Sequence, residues 1–298
     1  MDSETAEIGW VTSPGAIVQP EDGVAPVVAL IASARTLVLV KMFTFTSAPI
    51  AEALILAKTR GAKVRVMLNP ARSSGSRAND DMKALLEAGG AEVAWSNEAF
   101  AVTHEKSMVI DGRQAMIATF NFCEKYFTLT RDYGAVTSDP HVVEQVANCF
   151  EADWARQAYT RPEGSALLWS NRGSRALMCA FVDGARNTLD VQHPKFVDAV
   201  TLDRLIEAHS RGVRVRVLCG GKHGISTWDI LDTFASLKLL SRNGAKIRKQ
   251  KHLRLHAKLL LADGKRALVG SMNIDRRLRS QTRTRLFCRG SKGYGSIQ

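Results

Sequence analysis

Cysteine is sparse in this sequence of 298 residues, and what there is forms no pattern. Cys123, Cys149, Cys179, Cys219 and Cys288 are an odd number at wide spacing, with no CxxC. That excludes a disulfide framework and a zinc motif and favours a reducing, cytoplasmic setting. Proline is also scarce, at 8 residues, and 45% hydrophobic against 23% charged residues excludes wholesale disorder. A clean membrane span is missing too, because the most apolar stretch, 24–46, contains Arg35 and Lys41. The acidic, polar start at 1–7 does not fit a secretory signal. Acidic residues are the last shortage: 29 Asp and Glu face 41 Lys and Arg, a net charge of +12, and 276–298 holds seven bases and no acid. The excess points to an anionic partner, either nucleic acid or an acidic membrane surface that the protein could touch peripherally.

What is present is a short pattern written twice. His104-Glu-Lys106 and His256-Ala-Lys258 lie 152 residues apart, followed at equal spacing by Asp111 and Asp263 and then by Asn121 and Asn273. The repeat extends further. Thr36-Leu-Val-Leu-Val matches Thr188-Leu-Asp-Val-Gln, and Gly61-Ala-Lys-Val-Arg-Val matches Gly212-Val-Arg-Val-Arg-Val. Gly90-Ala-Glu-Val matches Gly244-Ala-Lys-Ile, all at offsets of 151 to 154. Landmarks in one order at a nearly constant offset indicate duplication.

Each copy predicts the same elements. A short helix (27–34; 176–185) precedes a β-branched strand (37–45; 188–192), then an amphipathic helix (49–59; 202–210) stopped by Arg-Gly. An alternating strand (63–68; 213–218) and another helix (79–88; 229–240) follow. Strands alternating with helices imply an α/β fold with a largely parallel sheet in each copy. The seam falls at Arg161-Pro-Glu-Gly-Ser, giving units 1–162 and 163–298, the second ending in the basic tail 276–298. After its motif the first unit continues into a helix at 141–154, and the tail contains nothing comparable, so it reads as foreign to the fold.

Residues two apart on a strand share a face, so His104 joins Lys106 and His256 joins Lys258. Asp111-Gly112 and Asp263-Gly264 are hairpin signals. A two-residue loop at Gly112-Arg113 would set His104 opposite Asn121 and Lys106 opposite Thr119, with Asn273 and Ser271 in the same places in the second copy. Each hairpin then offers an imidazole, an ammonium, a hydroxyl and an amide, which suits a phosphodiester. One imidazole attacks phosphorus, a second protonates the leaving oxygen, and lysines stabilise the non-bridging oxygens. No paired carboxylates stand at metal-ligand spacing, so neither metal nor other cofactor is expected. The two Asp residues read first as turn formers.

At these residues the sequence resembles the phospholipase D superfamily, whose doubled signature is HxK(x)4D(x)6GSxN. The second copy matches it through Gly270-Ser271-Met272-Asn273, and the first ends in Ala118-Thr119-Phe120-Asn121. The overall likeness is to bacterial phospholipase D and cardiolipin synthases. The first half, from Lys41-Met-Phe-Thr-Phe-Thr to His104, also resembles the superfamily's small nucleases. The resemblance implies two α/β units about a pseudo-twofold axis, with one active site between them. His104, Lys106, Asp111, His256, Lys258 and Asp263 would form the catalytic set, with Thr119, Asn121, Ser271 and Asn273 at the phosphate. It implies transfer through a phosphohistidine, with Asp132 orienting one imidazole. The tail offers no second orienting acid. Phospholipid head groups are the favoured substrate, an endonuclease is the alternative, and a weakened polyanion-binding protein is a third reading. With both half-sites in one chain, a monomer suffices. His193-Pro-Lys195 is a decoy HxK without its Asp, and the loops 70–77 and 220–223 are plausible but unspecific places for a phosphate.

Overall fold

The computed structural model describes residues 11–12, 15–71, 75–169, 173–221, 225, 227–275 and 287–289. The first unit runs β1 (Val11–Thr12), β2 (Gly15–Gln19), α1 (Ala25–Ala32), β3 (Leu37–Met42), α2 (Ala48–Thr59), β4 (Lys63–Leu68) and α3 (Asp80–Ala88). It continues with β5 (Glu92–Trp95), β6 (Lys106–Ile110), β7 (Gln114–Ala118), α4 (Glu124–Thr128), β8 (Thr130–Thr137) and α5 (Pro140–Trp154). The second repeats the plan with α6 (Ser174–Asp183), β9 (Thr188–His193), α7 (Ala199–Ser210), β10 (Arg214–Cys219), α8 (Ile230–Arg242) and β11 (Lys246–Lys249). Then come β12 (Arg254–Leu255), β13 (Leu259–Ala262), β14 (Arg266–Val269) and β15 (Phe287–Arg289).

Two sheets result, ordered β12-β8-β7-β6-β3-β4-β5, with β2 also on β8, and β1-β15-β14-β13-β9-β10-β11. They are mixed rather than largely parallel. The crossover helices make β3, β4 and β5 parallel, but the motif hairpin adds β6 and β7 antiparallel to that group. β13 and β14 do the same beside β9. In the first unit, one face of the sheet carries α1 to α3 over Val38, Val40, Val64 and Val66, and the other carries α5 over Leu39, Val109 and Ile117. α5 starts where the Asp139 side chain accepts from the N–H groups of His141 and Val142, with Pro140 at the first turn.

We keep 1–162 and 163–298 as the proposed halves, and the structure laces them together. β1 pairs with β15 in the second sheet, and β12 pairs with β8 in the first. Ala166, Leu167 and Trp169 pack with the first unit, whereas Leu168 packs with the second. A further apolar cluster joins Tyr133 to Leu255, Leu259 and Val269 across the interface, where the Tyr133 hydroxyl donates to Gln192 Oε1 at 2.9 Å. Residues 276–286 and 290–298 of the tail lie outside the described residues, as do the acidic start and the central parts of both candidate phosphate loops, 72–74 and 222–224. Within the tail, 287–289 pairs antiparallel with β14 as β8 does with β7, so this part of it belongs to the fold.

The hairpin turns depart from the expected register. Asp111 and Gly112 have φ of 52° and 63°, and Asp263 and Gly264 have 55° and 64°. Positive φ at both residues gives a tight turn on Asp-Gly, and three residues, Asp111 to Arg113, lie between the paired Ile110 and Gln114 where a two-residue loop was expected. It is closed by Arg113 N–H donating to Ile110 O at 2.9 Å. Ile110 then pairs with Gln114, and continuing that ladder sets Lys106 opposite Ala118 instead of Thr119. Likewise Ala262 pairs with Arg266, which sets Lys258 opposite Gly270. A small residue therefore faces each lysine, and Ala118 serves the first copy where Gly270 serves the second.

The carboxylates of Asp111 and Asp263, expected in the catalytic set, are taken up by main-chain amides at the starts of β3 and β9. Asp111 accepts from the N–H groups of Arg35, Thr36 and Leu37 at 2.8–3.2 Å and from the Thr36 hydroxyl. Asp263 accepts from the N–H groups of Arg186, Asn187 and Thr188. Each thus ties the far end of its hairpin to the start of β3 or β9. Burial opposes the Asp111 charge, but these amides outweigh it and hold the carboxyl at about 2. Asp111→Ala is expected to cost about 2–3 kcal/mol in urea unfolding, with the kcat of the folded variant unchanged. A large loss of kcat at full stability would return Asp111 to the chemistry.

Candidate active site

Four basic side chains and one carboxylate meet where the two sheets abut. His104 precedes β6, and His256 lies between β12 and β13. The chain reaches His256 through β12, whose pairing with β8 puts it beside Asp132. His256 Nδ1 lies 2.8 Å from Asp132 Oδ1, so the acid of the first unit supports the imidazole of the second. Asp132 is fully buried and further held by hydroxyl donors, Thr119 Oγ1 to Oδ1 at 2.5 Å and Thr130 Oγ1 to Oδ2 at 2.6 Å. Burial opposes its charge, but His256, Lys258 and the hydroxyls outweigh that and keep the carboxyl below its usual range.

The other imidazole is anchored differently. His104 Nδ1 lies 2.9 Å from the carbonyl oxygen of Ser271, again across the interface. A carbonyl only accepts, so Nδ1 carries the proton and Nε2 keeps its lone pair. At the sequence offset of 151 that relates β8 to β15, the counterpart of Asp132 is Arg283. No carboxylate is therefore supplied at that place in the repeat, and a main-chain oxygen does the anchoring.

Both lysines are buried, and each Nζ donates to the carbonyl of its own motif histidine, Lys106 to His104 at 2.7 Å and Lys258 to His256 at 2.5 Å. Lys258 Nζ also lies 2.9 Å from His256 Nε2. With Asp132 as the acid held against this group, the cations depress one another. Burial, then Lys106, Lys258 and His256, push His104 well below the usual histidine range. Burial and Lys258 take His256 to about 4 against the pull of Asp132, and burial takes Lys258 to about 7. Burial and Lys258 also lower Lys106. Such a cluster is short of negative charge, and an anion satisfies it.

Of the expected phosphate ligands, Thr119 is turned away: its hydroxyl donates to Asp132 and accepts from the Tyr133 N–H. The one-residue register shift explains this, because it exchanges faces. Asn121 Oδ1 accepts from the Thr44 N–H at 3.2 Å and so holds the loop after β3. Ser271 sits at the site through its carbonyl, with Asn273 half-buried two residues on. The third HxK has partners of its own. His193 is buried with Nδ1 accepting from the Lys195 N–H, and Lys195 pairs with Asp229 and Asp275 at 2.6 and 2.5 Å.

Sequence reasoning missed two layers. Each imidazole packs on an aromatic ring, His104 on Phe43 at 4.6 Å and His256 on Tyr126 at 4.7 Å between centroids. Lys106 Nζ also lies over the Phe43 ring at 5.0 Å. Phe43 stands inside the Lys41-Met-Phe stretch, where alternation with the apolar Met42 was the available signal. Behind the motif, Lys41 is buried with its Nζ 2.6 Å from Asp153 and 3.4 Å from Glu105, the middle residue of the first HxK. Burial opposes this ammonium, but Cys149, Glu105 and Asp153 outweigh it and raise it above the usual lysine range. Glu105, Cys149 and Asp153 have ligand atoms within 4.8 Å of one another, and the Lys41 ammonium holds that place.

Two mixed α/β units thus share one basic centre, each contributing a His and a Lys. The family model for the phospholipase D-like domain of cardiolipin synthase matches residues 27–154 and 178–283, and the chain belongs to that family. It is 25% identical over 262 residues to the major cardiolipin synthase ClsA of Bacillus subtilis, covering 75% of this chain and 53% of that protein. It is 27% identical over 187 residues to the polyphosphate kinase of Yersinia pestis, covering 58% of this chain and 27% of that one. The chain thus spans about a quarter to a half of the length of these curated relatives. Among solved structures, phosphatidylserine synthase of Haemophilus influenzae superposes with a TM-score of 0.73 at 12% identity, covering 94% of this chain and 82% of that one, a likeness of fold.

The cation cluster predicts a pH dependence of anion binding. An anion favours protonated Lys258, so above about pH 7 binding must take up a proton. The affinity for sulfate, which does not itself titrate there, should fall roughly tenfold per pH unit above that point. Isothermal titration calorimetry should show proton uptake, and an affinity independent of pH would contradict the charge arrangement.

Proposed function

We propose that the chain is a phosphodiesterase of the phospholipase D type, acting on phospholipid head groups without a metal ion. The observation that carries this reading is the reciprocal anchoring of the two imidazoles at Nδ1, His104 on Ser271 O and His256 on Asp132. In this mechanism the diester anion, by adding negative charge to the cluster, lets His256 take a proton at Nε2 from solvent. Nε2 of His104 then attacks phosphorus, and the bond to the leaving alcohol breaks as Nε2 of His256 gives that oxygen its proton. Lys106, Lys258 and the amides of Asn121 and Asn273 stabilise the non-bridging oxygens as charge grows on them. His256 then takes a proton from water or from a second alcohol, which attacks phosphorus and releases His104. Water gives hydrolysis, and an alcohol gives head-group exchange. The charge difference between the partners supports the assignment: a carboxylate stabilises an imidazolium, which suits the acid, and a carbonyl keeps a neutral tautomer, which suits the nucleophile. Membership of the cardiolipin synthase model favours lipid, while the net charge of +12 suits a nucleic-acid diester as the second reading.

Purified protein with EDTA present should turn over phosphatidylglycerol in preference to single-stranded DNA. His104→Ala and His256→Ala should each lower kcat by at least about a thousandfold, and the double variant should be no worse than either single one. Additive partial losses would mean two independent sites, preference for DNA would support the nuclease, and turnover of neither by the unaltered chain would leave a polyanion-binding protein.

A further inference from the structure

The duplicated units can be compared place for place, and their outer helix–strand pairs carry opposite charge. Residues 80–98, which span α3 and β5, hold Asp80, Asp81, Glu87, Glu92 and Glu98 against Lys83 alone. Residues 230–254, from α8 through β11 into β12, hold seven Lys and Arg against Asp232 alone. Among the described residues those seven form no ion pair, and Lys246, Arg248, Lys249 and Lys251 are exposed. The same stretch also exposes apolar side chains. Leu231 is 81% exposed and Phe234 45%, on the side of α8 away from Thr233, Leu237 and Leu240, which face the core. α8 packs on β11, and β11 is the edge strand of its sheet, so the apolar helix face and the basic strand share one margin of the molecule. That margin leads toward the site: Lys249 pairs with Cys219 and Cys219 with His193, two strands in from the edge, and the chain continues from Lys249 to His256 in seven residues.

We propose that the α8–β11 margin docks on an anionic lipid bilayer, with Leu231 and Phe234 entering the boundary between head groups and acyl chains and the basic run lying along the head groups. The inference rests on the phospholipid reading of the site and says how that substrate is met. Charge alone would suit a nucleic acid equally. Leu231 separates the two, since an aliphatic side chain offers no plane for a base to stack on and gains from hydrocarbon contact. The acidic counterpart in the first unit would be repelled by the same surface, so docking presents the second unit first. Each basic residue near such a surface contributes about fivefold in partitioning, and each buried large apolar side chain about tenfold or more.

The test is co-sedimentation of the full chain with vesicles of phosphatidylcholine, with and without phosphatidylglycerol. Binding should require phosphatidylglycerol and weaken with salt. K249Q/K251Q should lower it by roughly fivefold per charge and L231S/F234S by about tenfold or more per side chain. Leu85→Ser in α3 should leave it unchanged. All variants should keep the far-UV circular dichroism of the parent and its turnover of the soluble diester bis(p-nitrophenyl) phosphate. Equal binding to both vesicle types, or vesicle binding indifferent to L231S/F234S, would overturn the proposal. So would an oligonucleotide whose binding alone depends on Lys249 and Lys251. A chain that turns over no diester yet binds vesicles in this residue-dependent way would sink the catalytic reading and keep the docking surface.

Discussion

Positive charge held without enough negative charge to balance it is the constraint on which the site depends. His104, Lys106, His256 and Lys258 are gathered around one buried carboxylate, and the cost of that crowding appears in the downward displacement of all four. Beneath the first motif, at Glu105, the fold solves the opposite problem. Lys41 is as deeply buried, but Glu105, Asp153 and Cys149 surround it and its charge is secured. One ammonium is neutralised by the protein, and two are left for a ligand to neutralise. The scaffold can hold the unfinished cluster because each imidazole is pinned from the other unit and because strands are exchanged across the interface through β1 and β12.

The duplication supplies the frame, and divergence within it sets the chemistry. Positions 105 and 257 are Glu and Ala. The strand pairings set Lys41 on Ser107 and Gln192 on Leu259, so β3 and β9 correspond at an offset of 151, one residue from the match of Thr36 with Thr188, and Gln192 stands where Lys41 does. The charged network thus backs the first motif alone, while Gln192 instead receives the Tyr133 hydroxyl from across the interface. The acid that orients His256 has an arginine at its repeat position. Two histidines that began alike therefore sit in unlike fields, one beside a carboxylate and one beside a carbonyl. A reaction that needs one base and one acid in the same step is served better by that inequality than by symmetry.

Much of this was legible in the residues themselves. The repeat placed the elements of both units to within a few residues, and spacing in the motif brought His and Lys together. Three things were not legible. A three-residue loop at Asp111 to Arg113 and a two-residue loop at Gly112-Arg113 differ by one register step, which no hydrophobic pattern in a strand buried on both faces can distinguish, and with that step the Thr119 hydroxyl meets Asp132. Asp111 finds its partners at Arg35 to Leu37, a contact over more than 70 positions of sequence that turn rules do not contain. The antiparallel insertion of each hairpin beside β3 or β9 is likewise a tertiary choice, invisible in the alternation of strands and helices. The tail reads as foreign by composition, yet at 287–289 it completes the second sheet by main-chain pairing, which does not depend on side-chain identity.

The central claim is that the two units form one centre in which His104 becomes covalently phosphorylated and His256 moves the proton. Rapid alkaline quenching of a reaction with a radiolabelled diester, followed by peptide mapping, tests it most directly. Label on the peptide containing His104, absent from the His104→Ala variant, is the predicted result. Label on the peptide containing His256 would reverse the roles, and turnover with no label on either would contradict the covalent account.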